Sequence, residues 1–258
     1  MDKLGGALYE IHHMDEMAER DQWLNRIHPL PKLLLAFAYI AVTVSFPKYH
    51  LPGLLCMGIY PIALFILGEI PFRDSLRRLR IVLPLACCVG LFHPFLERQP
   101  MSAIGNITIT AGMVSMLTLM VKGFYSVLAS YLLVASTSIE KICYAMRLVH
   151  IPSVLVTQVL LTYRYASLLL AEANRMMQAY SLRAPNQKGV HIKVWGSLAG
   201  QLLLRSMDRA SEVYESMALR GYHGEFCYAA KPACKGRDWL YFGGWCVAFF
   251  FLRSIGEW

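Results

Sequence analysis

Charge is scarce in this chain. Of 258 residues only 16% are Asp, Glu, Lys or Arg, and 56% are apolar; an ordinary soluble domain carries about a quarter charged residues. The deficit comes from a few long apolar blocks, which argues against one large soluble core and for a membrane protein. No G-x-x-x-x-G-K-[ST] run is present to cradle a nucleotide phosphate, so the chain is not expected to hydrolyse ATP itself. The seven cysteines include no C-x-x-C pair, and neither a zinc site nor a disulfide framework is expected. Cys56, Cys87, Cys88 and Cys246 lie in apolar blocks, Cys143, Cys227 and Cys234 in a more polar region, and all read as small buried thiols. The first thirty residues carry Asp2, Glu10, Asp15, Glu16, Glu19 and Asp21. They lack a short apolar core with a small-residue cleavage site, so no cleavable signal is expected and the N-terminus should stay cytoplasmic.

What is present is a set of five apolar blocks, at 30–46, 51–68, 80–96, 107–135 and 239–252. A spanning helix needs roughly 20 apolar residues. The second and third blocks meet that length, and the first does so if His28-Pro29-Leu30-Pro31 opens it. The fourth is long enough to tilt or to bend near Gly123. The fifth is short. Pro61, Pro84 and Pro94 are expected to kink their spans, with the freed carbonyls satisfied by neighbouring helices.

The formal net charge of +8 is better explained by placement than by a nucleic-acid partner. With the N-terminus inside, Lys48, Arg98 and Arg253 fall outside and Lys122 falls within a span. The other 21 of the 25 Lys and Arg fall inside, including the turn Arg73-Asp74-Ser75-Leu76-Arg77-Arg78-Leu79-Arg80 and the region 137–238. The cytoplasmic bias of Lys and Arg selects this orientation. The expected organisation is an N-terminal cytoplasmic segment 1–29, spans over 30–136, a cytoplasmic region 137–238, and a last span with the C-terminus over 239–258.

Region 137–238 reads as too polar to span, yet it is strongly patterned. Ser138 can cap a short helix to about Val149, and Ile151-Pro152 ends it. A longer helix is expected over 153–183, broken by Pro185-Asn186-Gln187-Lys188-Gly189. A third is expected over 192–219, with an apolar stripe of Trp195, Leu198, Leu202, Ser206, Ala210, Val213 and Met217 and a polar stripe of Arg205, Asp208, Glu212 and Glu215. Gly221 is its stop. About a hundred patterned residues exceed what a simple connection needs, which implies a partner.

The last two of these helices end alike, in Leu182-Arg183-Ala184 and Leu219-Arg220-Gly221. Arginine in a last turn suits the helix dipole, worth about 0.3–1 kcal/mol. A matched pair on adjacent amphipathic helices also suits docking into acidic sites, because the guanidinium fork holds a carboxylate at two points. Spacing alone leaves both readings open.

With these endings stand Arg26-Ile27-His28-Pro29 before Lys32-Leu33-Leu34-Leu35, Ser45-Phe46-Pro47-Lys48-Tyr49, Val156-Thr157-Gln158, Tyr163-Arg164-Tyr165, Gly200-Gln201-Leu202-Leu203-Leu204-Arg205-Ser206 and Arg220-Gly221-Tyr222. In this ordered set the chain resembles the T component, the transmembrane coupling subunit, of energy-coupling factor (ECF) transporters, nearest the cobalt and nickel branch of CbiQ-type proteins. That family's coupling helices end in Ala-Arg-Gly-like triplets. Here the first triplet departs in ending on Ala184, and both begin with leucine.

The resemblance implies an all-α membrane protein of about five transmembrane helices with a cytoplasmic insert of amphipathic coupling helices. It implies a multi-pass protein of the cell (inner) membrane that couples ATP-driven uptake of cobalt, or of nickel, without catalysis or a cofactor of its own. Two cytoplasmic ABC-type ATPases would dock at Leu182, Arg183, Ala184, Leu219, Arg220 and Gly221. A separate metal-binding substrate-specificity membrane subunit would hold the ion. The alternatives are a T subunit serving vitamin-binding partners, a membrane-embedded enzyme, and a stand-alone channel. An enzyme would need polar groups converging at one membrane depth, where the blocks offer mainly Lys122 and His93; a channel would not need paired arginine ends. His12-His13 is not read as a metal site, since adjacent helical residues point apart. Lys122, an intramembrane charge, is a functional candidate that could equally snorkel or pair within the bundle.

Overall fold

The computed structural model describes residues 6, 16–18, 23–47, 51–69, 100–104, 107–184, 191–224 and 234–256. Among them the element order is a 3-10 turn Leu24–Arg26, α1 Pro29–Ser45, α2 Leu51–Cys56, α3 Ile59–Gly68, β1 Pro100–Ile104, β2 Ile107–Thr110, α4 Ala111–Ser136, α5 Ile139–Leu148, α6 Ser153–Arg183, α7 Ile192–Leu219 and α8 Gly236–Gly256. The chain divides into two compact units. One comprises Met1–Met17 and Ile139–Lys231, the other Ala18–Ser138 and Pro232–Trp258.

The second unit is a helical membrane bundle. Its α1 starts where Pro29 and Pro31 supply a helix-compatible φ without wasting an N–H, and His28 Nδ1 accepts the Leu30 N–H at 3.2 Å. The next span, 51–68, is broken at Met57-Gly58 into α2 and α3. The break is satisfied from both sides. Pro61 has no N–H for the Met57 carbonyl, and the Tyr39 hydroxyl of α1 donates to that oxygen at 3.1 Å. The Tyr125 hydroxyl of α4 donates to the Leu55 carbonyl at 3.4 Å. Gly58 permits this approach, since a Cβ there would lie 2.6 Å from Tyr125 Oη. The kink expected at Pro61 and its rescue by neighbouring helices are therefore present. Pro84, Pro94 and the block 80–96 lie outside the described residues.

Helices α1, α3 and α8 meet in an aromatic cluster. Tyr39 and Tyr60 have ring centroids 4.5 Å apart, and Trp245 and Phe249 stand edge-on to Tyr60 at 4.9 and 5.2 Å. Leu35, Leu54, Met57 and Leu132 are fully buried beside it. Phe37, Ile62, Ile66, Val247 and Phe250 remain exposed, as lipid-facing side chains do. Lipid tails are as apolar as these side chains, so close packing and hydrogen bonds hold such a bundle rather than water exclusion.

Two expectations need correction. First, the block 107–135 is not helical from its start. Ile107–Thr110, two isoleucines and two threonines, pairs antiparallel with β1 (Ile104 opposite Ile107), as suits a β-branched run, and the helix begins at Ala111. It then runs unbroken through Gly123. Second, region 137–238 is not uniformly too polar to span. Among the described residues three helices are long and apolar enough to cross a membrane: Leu51–Gly68, Val114–Ser136 and Ser153–Arg183. Averaging over a hundred residues hid the apolar first half of α6, in which Arg164 is the lone charge through Leu170. Helix α1, a shorter apolar helix of 17 residues, stands at the lower end of the length a span needs.

In the other unit the helix bounds match the sequence closely. Helix α5 ends with His150 in the left-handed region (φ 65°), where the Ile151 N–H reaches the Met146 carbonyl at 3.3 Å and the His150 N–H reaches Arg147 at 3.0 Å. Pro152 then opens α6. Helix α5 packs on α6, and α6 on α7. Cys143 is fully buried; burial pushes its thiol up, and Glu140 adds to the shift.

Candidate docking site at the helix ends

Helices α6 and α7 lie antiparallel, as their cross-contacts show. Glu172 pairs with Arg205 across the helices and with Arg175 one turn away at 3.7 Å. Further along, Gln158, Leu161, Tyr165 and Leu169 of α6 face Ser206, Ala210, Val213 and Met217 of α7. The expected stripe of α7 is half-buried at Leu198, Leu202, Ser206, Val213 and Met217, whereas Trp195 and Ala210 are exposed. A second apolar face was not anticipated. Leu203, Leu204, Met207 and Tyr214 are each more than half exposed, and α7 has no buried residue at all. The signal was in the sequence, as apolar positions 203, 207 and 214 one helical face away from the first stripe.

The two endings differ in backbone. At α7, Gly221 is left-handed (φ 78°), the Tyr222 N–H reaches the Met217 carbonyl at 3.0 Å, and the Gly221 N–H reaches Ala218 at 3.0 Å. This double closure needs a residue tolerant of positive φ. At α6, Ala184 has φ −128° and donates a single bond to the Tyr180 carbonyl at 3.0 Å. Alanine is acceptable there, which accounts for the departure of the first triplet. Leu182 and Leu219 are exposed at 82% and 90%. Arg183, Arg220 and Gly221 are exposed and Ala184 is half-buried. Among the described residues neither arginine has an ion pair.

The two triplets are not brought together. Because the helices are antiparallel, Arg183 lies opposite the start of α7, and Arg220 is some 26 residues further along. At 1.5 Å per residue the two arginine positions sit about 40 Å apart along the pair. Arg220 and Gly221 instead line a groove of about 500 Å³ with Arg164, Tyr165, Arg209 and Tyr222. Arg164 was not singled out as a site residue. Arg209 pairs with Glu212 at 3.3 Å on the wall of the same groove.

Within the bundle, Lys122 reaches from α4 to α1. Its ammonium donates to the carbonyls of Val44 at 2.9 Å and Phe46 at 2.6 Å, at the C-terminal end of α1. His12, His13 and His93 lie outside the described residues.

The sequence pattern of the CbiQ family, described as cobalt transport protein, matches residues 20–228. A protein named MJ1571 from Methanocaldococcus jannaschii is 25% identical over 200 residues, covering 73% of this chain and 68% of that one. With that match spanning most of the bundle and the whole of α5–α7, the chain belongs to the CbiQ family of cobalt transport proteins, as a membrane-embedded component of a transporter.

Proposed function

We propose that the chain is the transmembrane coupling subunit of an ATP-driven cobalt (or nickel) uptake transporter. It carries ATPase motion to a separate membrane protein that binds the ion. The observation that supports this most is the α6–α7 pair, two long helices that close with an exposed Leu-Arg-small ending at opposite ends. A separation of about 40 Å suits two separate acceptors rather than one. Each arginine offers a fork for a carboxylate, and each leucine beside it an apolar contact. The outward face of Leu203, Leu204 and Met207 is a further uncovered surface, of the kind that marks an interaction site. On this reading α6 lies with α7 at the cytoplasmic side of the bilayer. Arg164, Glu172 and Arg175 along α6, and its ion pair to α7, favour that placement over a lone span.

The end of the bundle formed by the α1 N-terminus and the α4 C-terminus is then cytoplasmic, and Arg253, whose guanidinium donates to Ser45 Oγ at 3.2 Å, is external. The test is purification of the tagged chain from native membranes. Two ATPase chains and one small membrane protein should accompany it, and hydrolysis should be lost when the ATPases are stripped away. A chain that purifies alone and takes up metal in vesicles would contradict the proposal.

A further inference from the structure

Two lysines join α1 and α4 in a reciprocal manner. Lys122 of α4 holds the terminal carbonyls of α1 at one end of the pair. At the other end, Lys32 in the first turn of α1 donates to the Ser136 carbonyl at 3.0 Å and the Thr137 hydroxyl at 3.4 Å, where α4 finishes. The last carbonyls of a helix lack intrahelical donors and carry the negative end of its dipole, so an ammonium is a fitting partner. Each helix thus lends a cation to the C-terminus of the other. The two attachments lie about 20 Å apart along the axes, which resists both sliding and tilting of α1 against α4.

The inner attachment is the more demanding of the two. Lys32 is 5% exposed, Ser136 5% and Thr137 2%. Burying an ammonium is costly unless it is well hydrogen-bonded, and a leucine would have packed there at no such cost. Its location explains the expense. The division between the two compact units falls directly after Ser138, one residue beyond Thr137. The chain leaves the bundle at the point that Lys32 grips.

We infer that Lys32 is a positioning residue for energy coupling. By fixing Ser136 and Thr137 it makes the end of α4 a firm anchor, so that displacement of α5–α7 moves the bundle instead of fraying the last turn of α4. Helix termini are where local opening is easiest, and an unpinned end would absorb motion. This inference rests on the coupling reading above.

The test uses the whole complex reconstituted in liposomes, with ATP hydrolysis and cobalt uptake measured on the same vesicles. Lys32→Met should assemble and hydrolyse ATP like wild type, while cobalt taken up per ATP falls about tenfold, the scale of one charge-assisted hydrogen bond. Lys32→Arg should restore much of the ratio. A purely structural role would lower abundance, hydrolysis and uptake together and leave the ratio unchanged, and that result overturns the inference. If Lys32→Met does not assemble, Thr137→Val decides: a lowered ratio at normal assembly supports the anchor, and an unchanged ratio overturns it. Failure of the wild-type complex to assemble or to transport would instead overturn the coupling reading itself.

Discussion

Replacing Lys122 by methionine isolates the outer attachment of α1 to α4. Methionine keeps the length and helix propensity of the stem and removes only the ammonium. Two hydrogen bonds disappear, at 2.9 and 2.6 Å, and the carbonyls of Val44 and Phe46 lose this donor. Hydrogen bonds between membrane helices average about 0.6 kcal/mol and reach about 1.7, because the unfolded chain also finds partners in the bilayer. A charged donor belongs toward the upper end, but Lys122 is only half-buried and water can partly replace it. Two bonds then give about 2 kcal/mol, or roughly thirtyfold in the unfolding equilibrium. The assay is reversible unfolding in mixed detergent and denaturing micelles, with Ser130→Ala as control. Among the described residues the Ser130 hydroxyl bonds only within α4, to the Ser126 carbonyl at 3.0 Å, and its loss should stay within about 0.5 kcal/mol. A Lys122→Met protein within that same margin of wild type would refute the assignment of this lysine as a helix-end donor, and a function elsewhere would have to be sought for it.

Two further outcomes are expected. Gly221→Ala should destabilise the end of α7 by about 1–2 kcal/mol, purely through backbone strain at φ 78°, since an added Cβ meets nothing within 4 Å. Weaker amide-exchange protection confined to 217–222 would register it, and unchanged protection would show that the closure does not need glycine. Cys143 should resist maleimide in the folded protein while exposed Cys234 reacts, because Cys143 is buried and its thiolate is disfavoured at neutral pH. Single-cysteine variants report the two rates, and equal rates would contradict the burial of α5.

The helices of the α5–α7 unit were legible because local signals mark their ends: Pro152 and Gly221 each act within a turn of their own position. The role of Lys122 was not, since its partners are main-chain carbonyls 76 and 78 residues away, and no side-chain pattern announces them. The same holds for Lys32, which sits beside an apolar run that reads as a plain span. Periodicity found the inner stripe of α7 but understated its apolar surface, because a helix that is apolar on two faces no longer shows one clean moment. The strand at Ile107–Thr110 was absorbed into an apolar block for a related reason, since hydropathy alone does not separate a β-branched strand from the start of a helix. The matched arginines were visible as residues. That they stand at opposite ends of an antiparallel pair came only with the Glu172–Arg205 contact.

The most direct test of the coupling proposal is ATPase capture and cobalt uptake for Arg183→Ala, Arg220→Ala and the double variant at equal membrane abundance. Truncating one partner of a buried charge pair at an interface costs about 2–5 kcal/mol. At about 40 Å apart the two sites are independent and their losses should add. Each single variant should weaken capture, and the double variant should nearly abolish both capture and uptake. Lysine should not fully rescue either position, since it lacks the fork. Arg175→Ala, whose side chain is 79% exposed, should behave like wild type. If the double alanine variant captures ATPase and takes up cobalt as well as wild type, the arginines only cap their helices, and the ends of α6 and α7 are not where the ATPases dock.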